Sequence, residues 1–175
     1  RCRIYDARPI ADQFDLATHG FAFATIPSKV KNFYDKDEVE RDYNKEVATI
    51  IKEAIGATDV VVFDHTFRTL NDAILDENNT REPVKAVHND YTDRSARQRL
   101  RDMMGDEKAE ELLKKRFAIV QTWRPINQPV FTEPFALADG RTIPNSNFVA
   151  LERRYSNRTA ETYHISYDPD HVFYY

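Results

Sequence analysis

The sequence predicts a mainly β fold with flanking helices, and three observations carry that expectation. The second half of the chain breaks into short β-favouring segments separated by turn residues, and one strongly amphipathic helix precedes them. Strands and helices do not alternate as a parallel doubly wound sheet requires. An antiparallel roll, closed or sandwiched, with helices packed on one sheet, buries that helix and leaves a cavity between the sheets.

Taken in order, residues 1–26 alternate weakly and turn at Gly20, ahead of Phe21, Ala22, Phe23 and Ala24, which predicts short extended pieces. Between Asp37 and Ile55 the apolar residues Val39, Tyr43, Val47, Ile50, Ile51 and Ala54 recur at three- and four-residue spacing, the pattern of one buried helix face. Gly56 follows where a helix C-cap places it. The β-branched run Val60, Val61 and Val62 predicts a buried strand over 59–63 that leads into the polar Asp64, His65, Thr66, Phe67 and Arg68. Residues 71–83 read as a surface loop and 84–91 as extended chain. Ser95 is the expected N-cap of a charged helical stretch reaching Lys115, with Leu100, Met103, Met104, Leu112 and Leu113 on its apolar side and Gly105 dividing it in two. Strands are then expected at 117–123, 134–137, 147–153 and 162–167, with turns at Ala138-Asp139-Gly140 and Asp168-Pro169-Asp170.

Size and composition set the frame for function. At 175 residues the chain supports a single domain over 1–175, and its start at Arg1 and stop in the aromatic run Val172, Phe173, Tyr174, Tyr175 read as a domain truncated at both ends. An apolar fraction of 41% is that of a folded protein. The net charge of -4 comes from interleaved signs, so neither nucleic acid nor an anionic membrane is the expected partner, which leaves a small molecule. The lone Cys2 supports no internal disulfide or multi-cysteine metal site, and no apolar run reaches the roughly 18 residues of a membrane span, so the expected location is cytoplasmic. The sequence carries no Gly-rich phosphate loop, no Gly-x-Ser-x-Gly elbow and no His-Glu-x-x-His, which removes the dehydrogenase, kinase, α/β-hydrolase and zinc-protease classes.

The sharpest chemical signal is Val87-His88-Asn89-Asp90-Tyr91-Thr92. In a strand, residues i and i+2 point to one face, so an imidazole and a carboxylate stand side by side while Asn89 faces away. One nitrogen and one oxygen ligand from such a pair, joined by a second histidine from a distant strand, make the two-His-one-carboxylate set that leaves three positions open on an octahedral iron. On the pair alone, a loop histidine beside a turn aspartate explains the residues equally well.

Further segments add context. The runs Val61-Val62-Phe63-Asp64-His65-Thr66-Phe67-Arg68, Val87-His88-Asn89-Asp90-Tyr91-Thr92, Phe117-Ala118-Ile119-Val120-Gln121-Thr122-Trp123-Arg124-Pro125, and Tyr163 through Asp168-Pro169-Asp170-His171-Val172-Phe173-Tyr174-Tyr175 occur in that order across nearly the whole chain. In these it resembles the hydroxylase/desaturase family of natural-product pathways, which includes a cephamycin methoxylation component, a gibberellin desaturase and a fungal endoperoxidase. The resemblance implies a double-stranded β-helix of the jelly-roll or cupin-like kind, incomplete at its C-terminal end. It also implies an iron(II)/2-oxoglutarate-dependent dioxygenase with His88 and Asp90 as metal ligands and catalytic centre. Dioxygen and a small-molecule substrate are the implied partners, with C–H hydroxylation or desaturation as the outcome.

In such enzymes the distal histidine and the arginine that grips 2-oxoglutarate lie on later strands, expected beyond Tyr175. His164 and His171 are the downstream histidines within the chain, and each also reads as an ordinary strand or turn residue. Arg68 and Arg124 are candidates for holding a carboxylate, because a guanidinium offers two parallel donors, and a structural ion pair explains each as well. Tyr91, Trp123 and Tyr163 are candidate pocket walls or plain core, and His65 lines the pocket or bonds a strand end. The rival from another class is a β-roll that keeps the fold, has lost the distal ligand and binds a small molecule or partner without turnover. A metal-dependent cupin that needs no 2-oxoglutarate is a third possibility.

Overall fold

A computed structural model describes residues 2–71, 80–154 and 159–175. The chain is built from β1 (Arg3–Tyr5), α1 (Leu16–His19), α2 (Lys36–Glu38), α3 (Asn44–Ile55), β2 (Phe67–Arg68), β3 (Thr80–Arg81), β4 (His88–Asn89), α4 (Asp93–Met104), α5 (Asp106–Leu112), β5 (Leu137–Ala138), β6 (Phe148–Arg154), β7 (Thr159–Ile165) and β8 (Val172–Tyr174). The strands form three small sheets: β1-β8-β5, the parallel pair β2-β3, and β4-β7-β6. Sheets with flanking helices are thus present as expected. The chain divides into two compact units, one made mainly of residues 85–121 and 138–173, the other mainly of 6–84 and 122–137.

The second of these units is organised by apolar spacing. A π-helical turn at Val39–Tyr43 joins α2 to α3, and the buried positions Val39, Tyr43, Val47 and Ile51 recur every fourth residue along this run. Gly56 ends α3 in the left-handed conformation (φ 66°), donating its N–H to Lys52 O, so the glycine C-cap is as expected. Side chains of the helical run also hold the segment before it. Glu38 accepts from the Lys31 and Asn32 N–H groups at 2.9 and 3.0 Å, and Glu46 accepts from the Lys29 N–H and the Ser28 hydroxyl. A separate aromatic cluster gathers Ala7, Phe14 and Phe21, with Ile10, Leu137 and Tyr174 packed against it; the Phe14 ring lies 4.9 Å from Phe21 and 4.7 Å from Tyr174.

The first unit is organised by the antiparallel sheet β4-β7-β6. Its register pairs His88 with His164 and Asn89 with Tyr163 across β4 and β7, and Val149 with His164 and Leu151 with Thr162 across β6 and β7. Because side chains alternate, Glu161 and Tyr163 occupy one face, while Thr162 and His164 share the other with His88, Val149 and Leu151. Helix α4 is tied to the Glu161 face. Thr92 caps the helix by accepting from the Ser95 N–H, Ser95 reciprocates to the Thr92 N–H, and the Ser95 hydroxyl donates to Glu161 O at 2.7 Å. Arg94 grips the Glu161 carboxylate through two nitrogens and reaches Glu152 at 2.8 Å. These bonds hold the carboxyls of Glu161 and Glu152 below the usual range and the guanidinium above its own.

Several expectations are corrected. The N-cap of α4 is Thr92 and not Ser95, which sits at the third helical position of the same reciprocal box. Residues 59–63 form no ladder; Val61 and Phe63 are exposed, and pairing begins only at β2. Residues 117–123 likewise form no ladder. In both runs β-branched and aromatic residues favour an extended backbone, but a strand also needs an adjacent edge to bond. Residues 1–26 hold β1, a 3-10 turn (Arg8–Gln13) and α1, which Gly20 closes at φ 83°. The strands expected at 147–153 and 162–167 appear as β6 and β7 with shifted ends, whereas of 134–137 only Leu137 is in a strand, together with Ala138 in the two-residue β5. The predicted loop over 71–83 falls largely on residues 72–79, outside the described set, and Thr80 beyond it is buried in β3. Cys2 is an exposed free thiol.

Candidate metal centre

The His88 and Asp90 side chains meet, with His88 in β4 and Asp90 on the bend that follows it. His88 Nε2 stands 3.3 Å from Asp90 Oδ1. The other ring nitrogen, Nδ1, lies 2.8 Å from Ala86 O, which can only accept, so Nδ1 carries a proton and Nε2 is the nitrogen turned toward the carboxylate. Two ligands bound at about 2.1 Å and at right angles to each other on one metal are themselves about 3 Å apart, close to the observed separation. The side chains are 28% and 49% exposed, so an ion can reach them from solution. In the absence of metal the adjacent Asp90 carboxylate, helped by the Ala86 carbonyl, holds the His88 proton above its ordinary range against the opposing effect of burial. A nitrogen and a carboxylate oxygen presented in this way suit a divalent iron.

Gln121 completes the immediate surroundings. Its Nε2 amide donates to Asp90 Oδ2, the carboxylate oxygen turned away from His88. Gln121 lies within one of the family-like segments, and nothing in its own sequence assigns it a role. Thirty-one residues separate it from Asp90, and no local spacing signals the contact.

The other candidates distribute as follows. His164 lies directly opposite His88 on the same sheet face, with ring centroids 6.2 Å apart. His171 is buried and accepts from the Asn147 amide at 2.8 Å, a structural role. Among the described residues, no group of three or more His, Cys, Asp or Glu side chains is placed to hold a metal ion. Tyr91, half-buried, directly follows Asp90, and its N–H bonds the Asn89 side chain at 3.4 Å. Tyr163 lies on the face opposite His164 and packs edge-on against Phe148 at 5.3 Å, lining a recess of about 310 Å³ with Asp93, Asn145 and Phe148.

Arg68, Arg124, Trp123 and His65 belong to the helical unit. Arg68 donates to Glu82 O at 3.0 Å. Arg124 donates to Ile26 O at 3.2 Å, lies over the Phe33 and Tyr43 rings at 5.5 and 5.8 Å, and keeps its buried Nε without an acceptor. The contacts described for both arginines are thus with backbone carbonyls and rings, not the carboxylate partners of an ion pair. Trp123 stacks on Phe135 at 5.5 Å. His65 lies 2.7 Å from Asn44 Oδ1, bonding a helix residue rather than a strand end, and burial lowers its pKa.

Comparison with known proteins places these features in a class. Residues 1–175 match a family model described as an oxidoreductase/YMDC permease-like domain. The chain is 34% identical to the Fe(II)/2-oxoglutarate-dependent dioxygenase NvfI of Aspergillus novofumigatus over its full length, covering 64% of that protein. It is 35% identical to the hydroxylase/desaturase CTB9 of Cercospora beticola over 81% of the chain and 47% of the relative. A solved structure of the iron and alpha-ketoglutarate-dependent endoperoxidase NvfI superposes on 99% of the chain and 65% of its own length, with a TM-score of 0.82 and 29% identity. The chain therefore belongs to the oxidoreductase/YMDC permease-like domain family, and the relatives it resembles are named iron(II)/2-oxoglutarate-dependent dioxygenase and hydroxylase/desaturase. It spans less than two thirds of the length of these relatives. No helix among the described residues is long and apolar enough to cross a membrane.

Proposed function

We propose that this chain carries the iron-binding part of an iron(II)/2-oxoglutarate-dependent dioxygenase that hydroxylates or desaturates a small molecule, a secondary metabolite by the pattern of its relatives. The observation that carries this reading is the approach of His88 Nε2 to within 3.3 Å of Asp90 Oδ1, with the other ring nitrogen engaged by Ala86 O. His88 and Asp90 are the two ligands, and a histidine beyond Tyr175 is the expected third. In this reading the fold is a double-stranded β-helix, with β4-β7-β6 as part of its sheet wall, and residues 1–175 are one domain of it.

Iron held by His88 and Asp90 would, with 2-oxoglutarate as cosubstrate, supply the oxidising chemistry: oxidative decarboxylation would provide two of the four electrons that reduce dioxygen and the C–H substrate the other two. The chain supplies ligation and placement. Ala86 fixes the imidazole proton on Nδ1, so that Nε2 is the coordinating atom. The α4 cap at Thr92, two residues after Asp90, anchors the end of the ligand segment to β7 through Ser95 and Glu161. On the face that bears His88, the exposed Val149 and Leu151 present an apolar surface suited to exclude water from a hydrophobic substrate.

The test is anaerobic titration of the whole protein with iron(II) and 2-oxoglutarate, following the weak visible charge-transfer band of the chelated cosubstrate. A band in the wild type that His88→Ala and Asp90→Ala both abolish supports the reading. A folded whole protein that gives no band overturns it and favours a non-catalytic binding module.

A further inference from the structure

We infer that Gln121 is a positioning residue that holds Asp90 in one-oxygen ligation and so keeps a coordination position open. This inference rests on the metal-binding reading of His88 and Asp90 and adds to it.

The two Asp90 oxygens are in different situations. Oδ1 faces His88 Nε2 at 3.3 Å, the side from which a shared ion is reached, and Oδ2 accepts the Gln121 amide. A carboxylate free to rotate about its last bond can present both oxygens to one cation and occupy two positions. A six-coordinate ion with three protein ligands has three positions left, and a chelating cosubstrate with dioxygen needs all of them. Two-oxygen binding by Asp90 takes one of these away. A donor fixed on Oδ2 opposes that rotation, because turning the carboxylate toward the ion gives up a charge-assisted hydrogen bond. The amide suits this position. It is neutral, so it leaves the negative charge of Asp90 available to the cation, where a lysine or arginine in its place competes for that charge. The contact is also independent of the strand ladder: Gln121 lies on a segment that forms no strand, so the position is one where side-chain chemistry and not backbone pairing matters.

Gln121 is exposed, so replacing it leaves the fold in place. The experiment is titration of the whole protein with cobalt(II) alone, comparing wild type, Gln121→Leu, His88→Ala and Asp90→Ala, with the visible absorption of bound cobalt recorded and the metal-free thermal midpoint measured for each. Loss of an outer hydrogen-bond partner of a metal ligand weakens binding by about 10- to 100-fold. The expected result for Gln121→Leu is a weakening of that order with an altered cobalt spectrum and an unchanged metal-free midpoint. Cobalt binding at wild-type affinity with a wild-type spectrum in Gln121→Leu, while His88→Ala and Asp90→Ala lose it, overturns the positioning role and leaves the metal site standing. Wild-type binding in His88→Ala and Asp90→Ala overturns the metal site itself. If Gln121→Leu melts early, Gln121→Asn, which keeps the amide but is one methylene too short to reach, decides between the same outcomes.

Discussion

The two compact units differ in what holds them. The unit made mainly of residues 6–84 and 122–137 has its core in apolar contacts, beside the Glu38 and Glu46 bonds to residues 28–32: a helical run with Val39, Tyr43, Val47 and Ile51 buried along one stripe, and an aromatic cluster around Phe14. The unit that contains β4-β7-β6 is held by strand register and polar bonds, with Arg94, Glu161, Glu152, Thr92 and Ser95 linking helix to sheet, and His88, Asp90 and Gln121 linked across distant segments. Apolar contacts supply stability and tolerate some imprecision. Directional bonds place a few atoms accurately, which is what ligation requires.

This contrast can be broken by substitutions that ask each unit for what it should not supply. The largest effect on stability is expected from Phe14→Ala, which removes a buried ring touching Phe21, Phe23 and Tyr174. A loss of about 3–5 kcal/mol in urea unfolding is expected, and the variant, where folded, retains its metal affinity. Asp90→Ala should do the reverse. Metal affinity falls by more than about 100-fold, with unfolding changed by no more than about 0.5 kcal/mol because the side chain is half exposed. A large stability loss in Asp90→Ala would show that the polar unit depends on that carboxylate for folding, and the contrast would fail.

Smaller effects sharpen the same point. Thr92→Ala removes the cap of α4 and should cost about 1 kcal/mol in unfolding, together with a few-fold weaker metal binding because the segment after Asp90 loses its anchor. A stability loss without any change in metal affinity would separate the cap from the site. The smallest expected effect is pH-dependent and belongs to the helical unit. Burial lowers the His65 pKa below its unfolded value, so the unfolded chain binds the proton more readily. Stability from this group is therefore complete above the unfolded pKa of about 6.5 and declines as pH falls through that value toward the lower folded one. Urea midpoints at pH 7.5 and 5.5 should differ less in His65→Gln than in wild type, and an equal difference would remove His65 as a cause.

The legibility of each region in the sequence follows the same division. The helix over 37–55 and its Gly56 cap are readable because three- and four-residue apolar spacing both encodes and stabilises them. The His88–Asp90 approach is readable in its spacing, but the β4 ladder ends at Asn89 and Asp90 stands on the bend after it, so the strand period alone does not account for the contact. Residues 59–63 and 117–123 are misread because β propensity describes one chain, whereas a ladder needs two. Thr92 and Ser95 are both good caps, and only the reciprocal bonds of the folded helix start assign the roles. Gln121, Arg94 and Glu161 act across separations of 31 and 67 residues, and nothing in their local sequence marks the partner.

The most direct test of the central claim is a crystal structure of the whole protein soaked in manganese(II), with anomalous scattering used to locate the ion. The account predicts one strong peak within coordination distance of His88 Nε2 and Asp90 Oδ1, with Asp90 Oδ2 still bonded to Gln121. A peak elsewhere, or none at a site where His88 and Asp90 remain in direct contact, would contradict it.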